Sequence, residues 1–229
     1  MSAAAHPLDD PVRSALEGAD ARFAERGDDA LRYGTAYSVF ASGSWDGIAR
    51  LVGPGGRTVL AGPTTPLPAS WTELMRISGF QMTGEDIAAD LDAAAGDGEV
   101  VPLGADHADA MADLVARTEP GPWAPRTWEL GGYRGILVDG ALVAMAGERM
   151  HADGFTEISA VCTDPAHRGR GLANRVVRAV AAGIAARGDI PFLHVAGTNA
   201  GAFALYERLG FRVRRPIDFV VATAPTLDG

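Results

Sequence analysis

The chain has 229 residues, 47% hydrophobic and 21% charged, enough apolar material for one large domain or two small ones. Its formal net charge of -9 argues against a general binder of nucleic acid or anionic membrane. All twenty basic residues are arginine, which excludes phosphate-loop, Schiff-base and catalytic lysines, and the lone Cys162 excludes an intrachain disulfide or multi-cysteine zinc site.

No basic-then-apolar leader opens the sequence and no apolar run reaches about 18 residues, so a soluble, cytoplasmic protein is expected. Residues 1–10 are polar and loose. Residues 11–26 predict a helix, with Pro11 suited to its first turn. Short β-prone runs at 33–40, 48–52 and 58–61 are separated by glycine turns. The Pro-rich stretch 63–68 precedes a predicted short helix over 70–77. The acidic, alanine-rich 86–98 is expected to link an N-terminal α/β region, 1–98, to a second domain, 99–229.

From residue 99 the elements are easier to place. A short strand at 100–101 is followed by a helix over 106–117, with Ala108, Met111, Leu114 and Val115 at helical spacing. A loop, 119–125, leads to a hairpin of strands 133–138 and 141–150 around Asp139-Gly140, a pair suited to a two-residue primed turn. The strand 156–163 comes next, then a glycine- and arginine-rich turn and a helix over 172–187 with Leu172, Val176, Val177, Val180 and Ile184 along one face. A strand at 190–195, a helix at 200–209 and strands at 211–213 and 219–222 close the chain.

The segment 157–174, EISAVCTDPAHRGRGLAN, carries the chemistry. A strand, a bare-backbone turn and a helix N-terminus in that order form an anion cradle, because the glycines let amides approach a phosphate and the helix dipole adds positive charge. The glycine pair also half-matches a dinucleotide fingerprint, but position 174 is Asn and the preceding elements are a hairpin and a strand.

The Arg-x-x-Gly-x-Ala turn at 168–173 and the later 199–211 segment, NAGAFALYERLGF, resemble the two signature motifs of the GNAT superfamily of N-acetyltransferases, and the element order from 99 is similar to that fold. Within it, the 148–173 stretch resembles a bacterial subgroup with an extra N-terminal region, its C-terminal half related to glycine N-acyltransferases. The resemblance implies a mixed, mostly antiparallel sheet flanked by helices, preceded by a smaller α/β region that is either a degenerate copy of the same fold or a separate substrate-covering domain. It implies acetyl-CoA as co-substrate, no metal, and a primary amine of a small molecule or peptide as acceptor, in a monomer or a homodimer. No nucleic-acid or membrane partner is expected. A non-catalytic acyl-CoA-binding regulatory module is the competing reading.

The resemblance also implies residue roles. Amides of Arg168, Gly169, Arg170, Gly171, Leu172, Ala173 and Asn174 would hold the pyrophosphate, with charge from Arg168 and Arg170. Along Val161, Cys162 and Thr163, main-chain groups of Val161 and Thr163 would pair with the pantetheine arm where a bulge splays the strand edge. Tyr206 would protonate the leaving thiolate, and Asn199 would cap its helix and touch the coenzyme. Glu157, nominally on the same face as Val161, is the candidate general base, with Glu148 in reserve. His151 and His194 read as structural. Cys162 points away from Val161 and reads as core, so a covalent acetyl-cysteine is disfavoured.

Overall fold

In the computed structural model the described residues are 6–62, 66–85, 87 and 99–226. The chain opens with helix α1 (Pro11–Glu17), where the Asp10 carboxylate accepts from the Arg13 amide at 3.0 Å. The helix expected over 11–26 stops early: the Gly18 amide turns back onto the Ser14 and Ala15 carbonyls, and the chain continues as β1 (Ala24–Arg26). Strands β2 (Ala30–Tyr33) and β3 (Ala41–Gly43) complete a three-stranded antiparallel sheet, so most of the run expected as a strand over 33–40 is the connection between them.

Helix α2 (Trp45–Val52) stands where a strand was expected over 48–52. The Ser44 hydroxyl accepts from the Gly47 amide at 3.0 Å, and Trp45, Ile48, Ala49 and Val52, at helical spacing, pack into one apolar cluster. Here a cap and a period outweigh β-branched propensity. Strand β4 (Arg57–Gly62) agrees with expectation, whereas most of the helix expected over 70–77 belongs to a long strand, β5 (Thr72–Thr83).

The remaining elements are β6 (Val100–Pro102), α3 (Ala108–Thr118), β7 (Arg134–Val138), β8 (Ala141–Ala152), β9 (Phe155–Thr163), α4 (Leu172–Ala186), β10 (Ile190–Ala196), α5 (Ala200–Arg208) and β11 (Arg212–Thr223). β11 is one strand where two were expected; a register shift between Val213 and Arg215 carries the pairing with β5 through Pro216. The large sheet runs β4-β11-β5-β10-β9-β8-β7-β6, mixed and mostly antiparallel, with β10 and β9 parallel. Thus β5 enters the sheet between β11 and β10 and joins residues on both sides of 86–98, a link of which all but Ile87 lies outside the described residues.

One face of the sheet is covered by α4, whose Val176, Val177, Val180 and Ile184 pack against Met82, Val143, Ile158 and Leu193. On the other face, Leu8, Val12, Leu16, Tyr33 and Phe40 from the N-terminal region pack on Met150 and Phe192. Beside them α3 buries Met111 and Leu114 against Tyr133, Met145 and Cys162.

A buried polar joint holds the N-terminal region to β8. Asp20 accepts from the Tyr33 hydroxyl (2.6 Å) and the His151 amide (3.1 Å), while the His151 ring lies 2.8 Å from Asp20 and 3.0 Å from Glu148. Arg187 adds a 2.9 Å bond to Glu148. Burial alone would lower the His151 pKa, but bonds to the two carboxylates raise it from 6.5 to about 9. A raised folded-state pKa stabilises fully below about 6.5, and that contribution is lost as pH rises through about 9. The thermal midpoint is therefore expected to fall across that window, and a His151→Gln variant to lose this pH dependence.

Candidate active site

Strands β9 and β10 pair from Phe155–Ile190 to Ile158–Leu193 and then part. β10 continues on β5, from Phe192–Thr83 to Ala196–Gly79, while β9 continues on β8. Between Ser159 and Cys162 the β9 strand carries an extra residue relative to β8, and Ala160 sits there at φ +53°. An alanine at positive φ inside a strand marks a bulge that the surrounding pairing enforces. The edge of β9 beyond Ile158 is thereby turned into a cleft of about 940 Å³.

At one end of the cleft lies the glycine turn. Gly169 and Gly171 have φ of +78° and +73°, open space surrounds the position a Cβ would take, and only backbone conformation demands glycine. Gly171 is the N-cap of the fifteen-residue α4 and supplies no side-chain cap, so the first amides of this helix project without a capping partner. His167, Arg168, Gly169, Gly171, Leu172, Ala173 and Asn174 line the cleft; Arg170 is exposed and does not. Among the described residues the buried Thr163 Oγ1 has no hydrogen-bond partner, and the buried His167 Nδ1 has none but lies 3.7 Å from the Asp164 carboxylate. The bare amides, with Arg168 and Arg208 also lining the cleft, suit a phosphate-bearing, amide-rich ligand such as coenzyme A.

Asn199 caps α5, accepting from the Ala202 amide at 3.1 Å, and lines the cleft. Tyr206, on the same helix, also lines it and is 6% exposed. Its ring packs edge-on against Phe211 at 5.9 Å, and among the described residues its hydroxyl has no hydrogen-bond partner. Burial raises its pKa to about 12.

Glu157 is placed differently from the sequence expectation. The bulge at Ala160 breaks the four-residue alternation, so Val161 packs on the α4 side while Glu157 points to the opposite face, onto Arg149 and His194. Its carboxylate is fully buried, bonded to Arg149 Nε at 2.8 Å, to Arg149 Nη2, and to His194 Nδ1 at 2.7 Å. Burial would raise its pKa, but the Arg149 charge and the hydrogen bonds from Arg149 and His194 outweigh it and take it to about 2. An enclosed carboxylate held in this way is a poor proton acceptor, and Glu157 does not line the cleft as the sequence placed it. Glu148, the reserve, is likewise buried and held by His151 and Arg187.

Arg149 and His194 themselves line the cleft. The Arg149 guanidinium lies 4.7 Å over the Phe40 ring. His194 Nε2 is 3.1 Å from Gln81 Nε2, and the Gln81 carbonyl accepts from Arg214 at 2.8 Å, so the network assigns the His194 proton to Nδ1, facing Glu157. Both ring nitrogens are thus engaged. Arg149 was legible in principle, because it and Glu157 flank the Asp153-Gly154 turn of the β8–β9 hairpin. The approach of His194 depends on a parallel pairing that no local signal announces. Cys162 packs among Met111, Leu114 and Met145 on the side away from Val161, and burial raises its thiol pKa to about 11.

Among the described residues no helix is long and apolar enough to cross a membrane, and no cluster of metal-ligating side chains is found. Residues 133–220 match the family model described as FR47-like protein. The chain is 36% identical over 132 residues to N-alpha-acetyltransferase RimI of Mycobacterium tuberculosis (strain ATCC 25618 / H37Rv), covering 51% of this chain and 81% of that protein. It is similar to the crystal structure of a candidate GNAT-family acetyltransferase from Novosphingobium aromaticivorans DSM 12444, with TM-score 0.88 and 38% identity over 97% of this chain and 100% of the other. A GCN5-related N-acetyltransferase from Kribbella flavida shares the fold at TM-score 0.64 and 17% identity, over 93% and 94% of the two chains.

Proposed function

The chain belongs to the GNAT family of acetyltransferases, and from that premise we propose that it transfers an acetyl group from acetyl-CoA to a primary amine of a small molecule or peptide, by direct attack in a ternary complex. Family membership supports acetyl-CoA-dependent acyl transfer in general. The observation that carries the more specific reading is the single cleft joining the glycine cradle, the bulged edge of β9 and Tyr206. RimI is by its name an N-alpha-acetyltransferase, which keeps a peptide α-amine within the acceptor class.

In this reading the glycine turn, β9 and α5 hold the donor, and Phe40, β4 and β5 together with β11 wall the acceptor. Amides from Arg168 to Asn174 hold the pyrophosphate, Arg168 and Arg208 add charge, and main-chain groups of Val161 and Thr163 pair with the pantetheine arm. Acetyl-CoA supplies an activated thioester carbonyl. As the C–N bond forms and the C–S bond breaks, Tyr206 donates its phenolic proton to the departing sulfur, and the amine's surplus proton leaves to water in the cleft. Glu157 acts as a positioning residue, fixing Arg149 and His194 at the floor.

Initial rates measured while both substrates are varied test the direct step. Intersecting lines, retained in Cys162→Ser, are expected; parallel lines with an acetylated Cys162 contradict it.

A further inference from the structure

Resting on the transferase reading above, we propose that the acceptor amine is carried on a compact apolar body, alkyl or aryl, seated where Phe40, Val59, Ile77, Phe219 and Val221 wall the cleft. These residues form one surface by register. Phe219 on β11 pairs with Ile77 on β5, and Val221 on β11 pairs with Val59 on β4, so four apolar side chains cover one face of three adjacent strands. Phe40, from the N-terminal region, closes the patch at 6.0 Å from the Phe219 ring. All five line the same cleft as the glycine turn and Tyr206.

The polar groups at this end already engage one another. Arg149 and His194 line the chamber, and both bond to Glu157 behind them. Among the described residues that line the cleft the one carboxylate, Glu119, sits on the loop after α3, and none comes from β4, β5 or β11. A second ammonium on the acceptor would therefore lose hydration against an apolar wall whose described residues supply no carboxylate. An alkyl or aryl group would gain from leaving water there.

The test compares kcat/KM, read as thiol release from acetyl-CoA by the full chain, for 2-phenylethylamine or hexylamine against 1,6-diaminohexane. The apolar amines are expected to be favoured by about tenfold or more, the scale on which apolar pockets discriminate. Ile77 is 37% exposed, so Ile77→Glu adds a carboxylate at the wall without filling the core, and it is expected to shift the ratio toward the diamine. Coenzyme affinity of the variant serves as the control for folding. A wild-type preference for the diamine, or a ratio unmoved by Ile77→Glu, overturns the inference and leaves the transferase reading intact. No thiol release with any amine removes both.

Discussion

Glu157→Gln is expected to lower the unfolding free energy by about 3–5 kcal/mol, the usual consequence of removing one member of a buried ion pair. The glutamate is fully enclosed and Arg149 is 8% exposed, so the substitution leaves a guanidinium in the interior with no compensating charge. It also weakens the acceptor that fixes the His194 proton. The sign of the pH dependence follows from the depressed pKa. A carboxylate at about 2 in the folded state, against 4.5 in its ordinary state, stabilises the fold above about 4.5, and this contribution is lost as pH falls toward 2. Urea unfolding between these limits is expected to show a steep acid loss in the parent and a flatter profile in Glu157→Gln. The double substitution Glu157→Gln with Arg149→Met is expected to be milder than the single one, because it removes the stranded charge as well. A single variant of unchanged stability would contradict the burial and pairing described for this site.

Tyr206→Phe is expected to reduce kcat by about 10²–10⁴, the range for loss of a positioned general acid, while leaving coenzyme affinity nearly unchanged. The substitution removes a hydroxyl that has no hydrogen-bond partner among the described residues and keeps the ring against Phe211, so thermal stability is expected to hold. A kcat loss with intact stability separates a chemical role from a packing one. Because burial raises the phenol to about 12, the group keeps its proton through neutral and mildly alkaline pH. Activity therefore should not decline below about pH 11 through its ionisation. Comparable turnover in Tyr206→Phe would remove the acid role.

The elements that could be placed from sequence alone are those whose signals are local. α4 shows its apolar stripe, the β7–β8 hairpin its Asp-Gly turn, and the cradle its glycines between a strand and a helix. The failures share a different cause. β5 is a strand because β11, about 140 residues later, and β10 pair with it, and its composition alone does not announce that. Two short segments at 211–222 become one strand for the same reason. In the site, the bulge was anticipated in kind, but its position at Ala160 reversed which face Glu157 presents. The proposed acceptor wall was illegible because Phe40, Val59, Ile77 and Phe219 meet only through sheet register and the packing of a separate layer.

The measurement that bears most directly on acetyl transfer in this cleft pairs thiol release from acetyl-CoA with the mass of the acceptor, in the same reaction and across the amine panel. The expected result is thiol release matched one for one by an amine heavier by an acetyl group, nearly abolished in Tyr206→Phe. Tight coenzyme binding with neither release nor acetylated product from any amine would contradict it, and would make the protein an acyl-CoA-binding module.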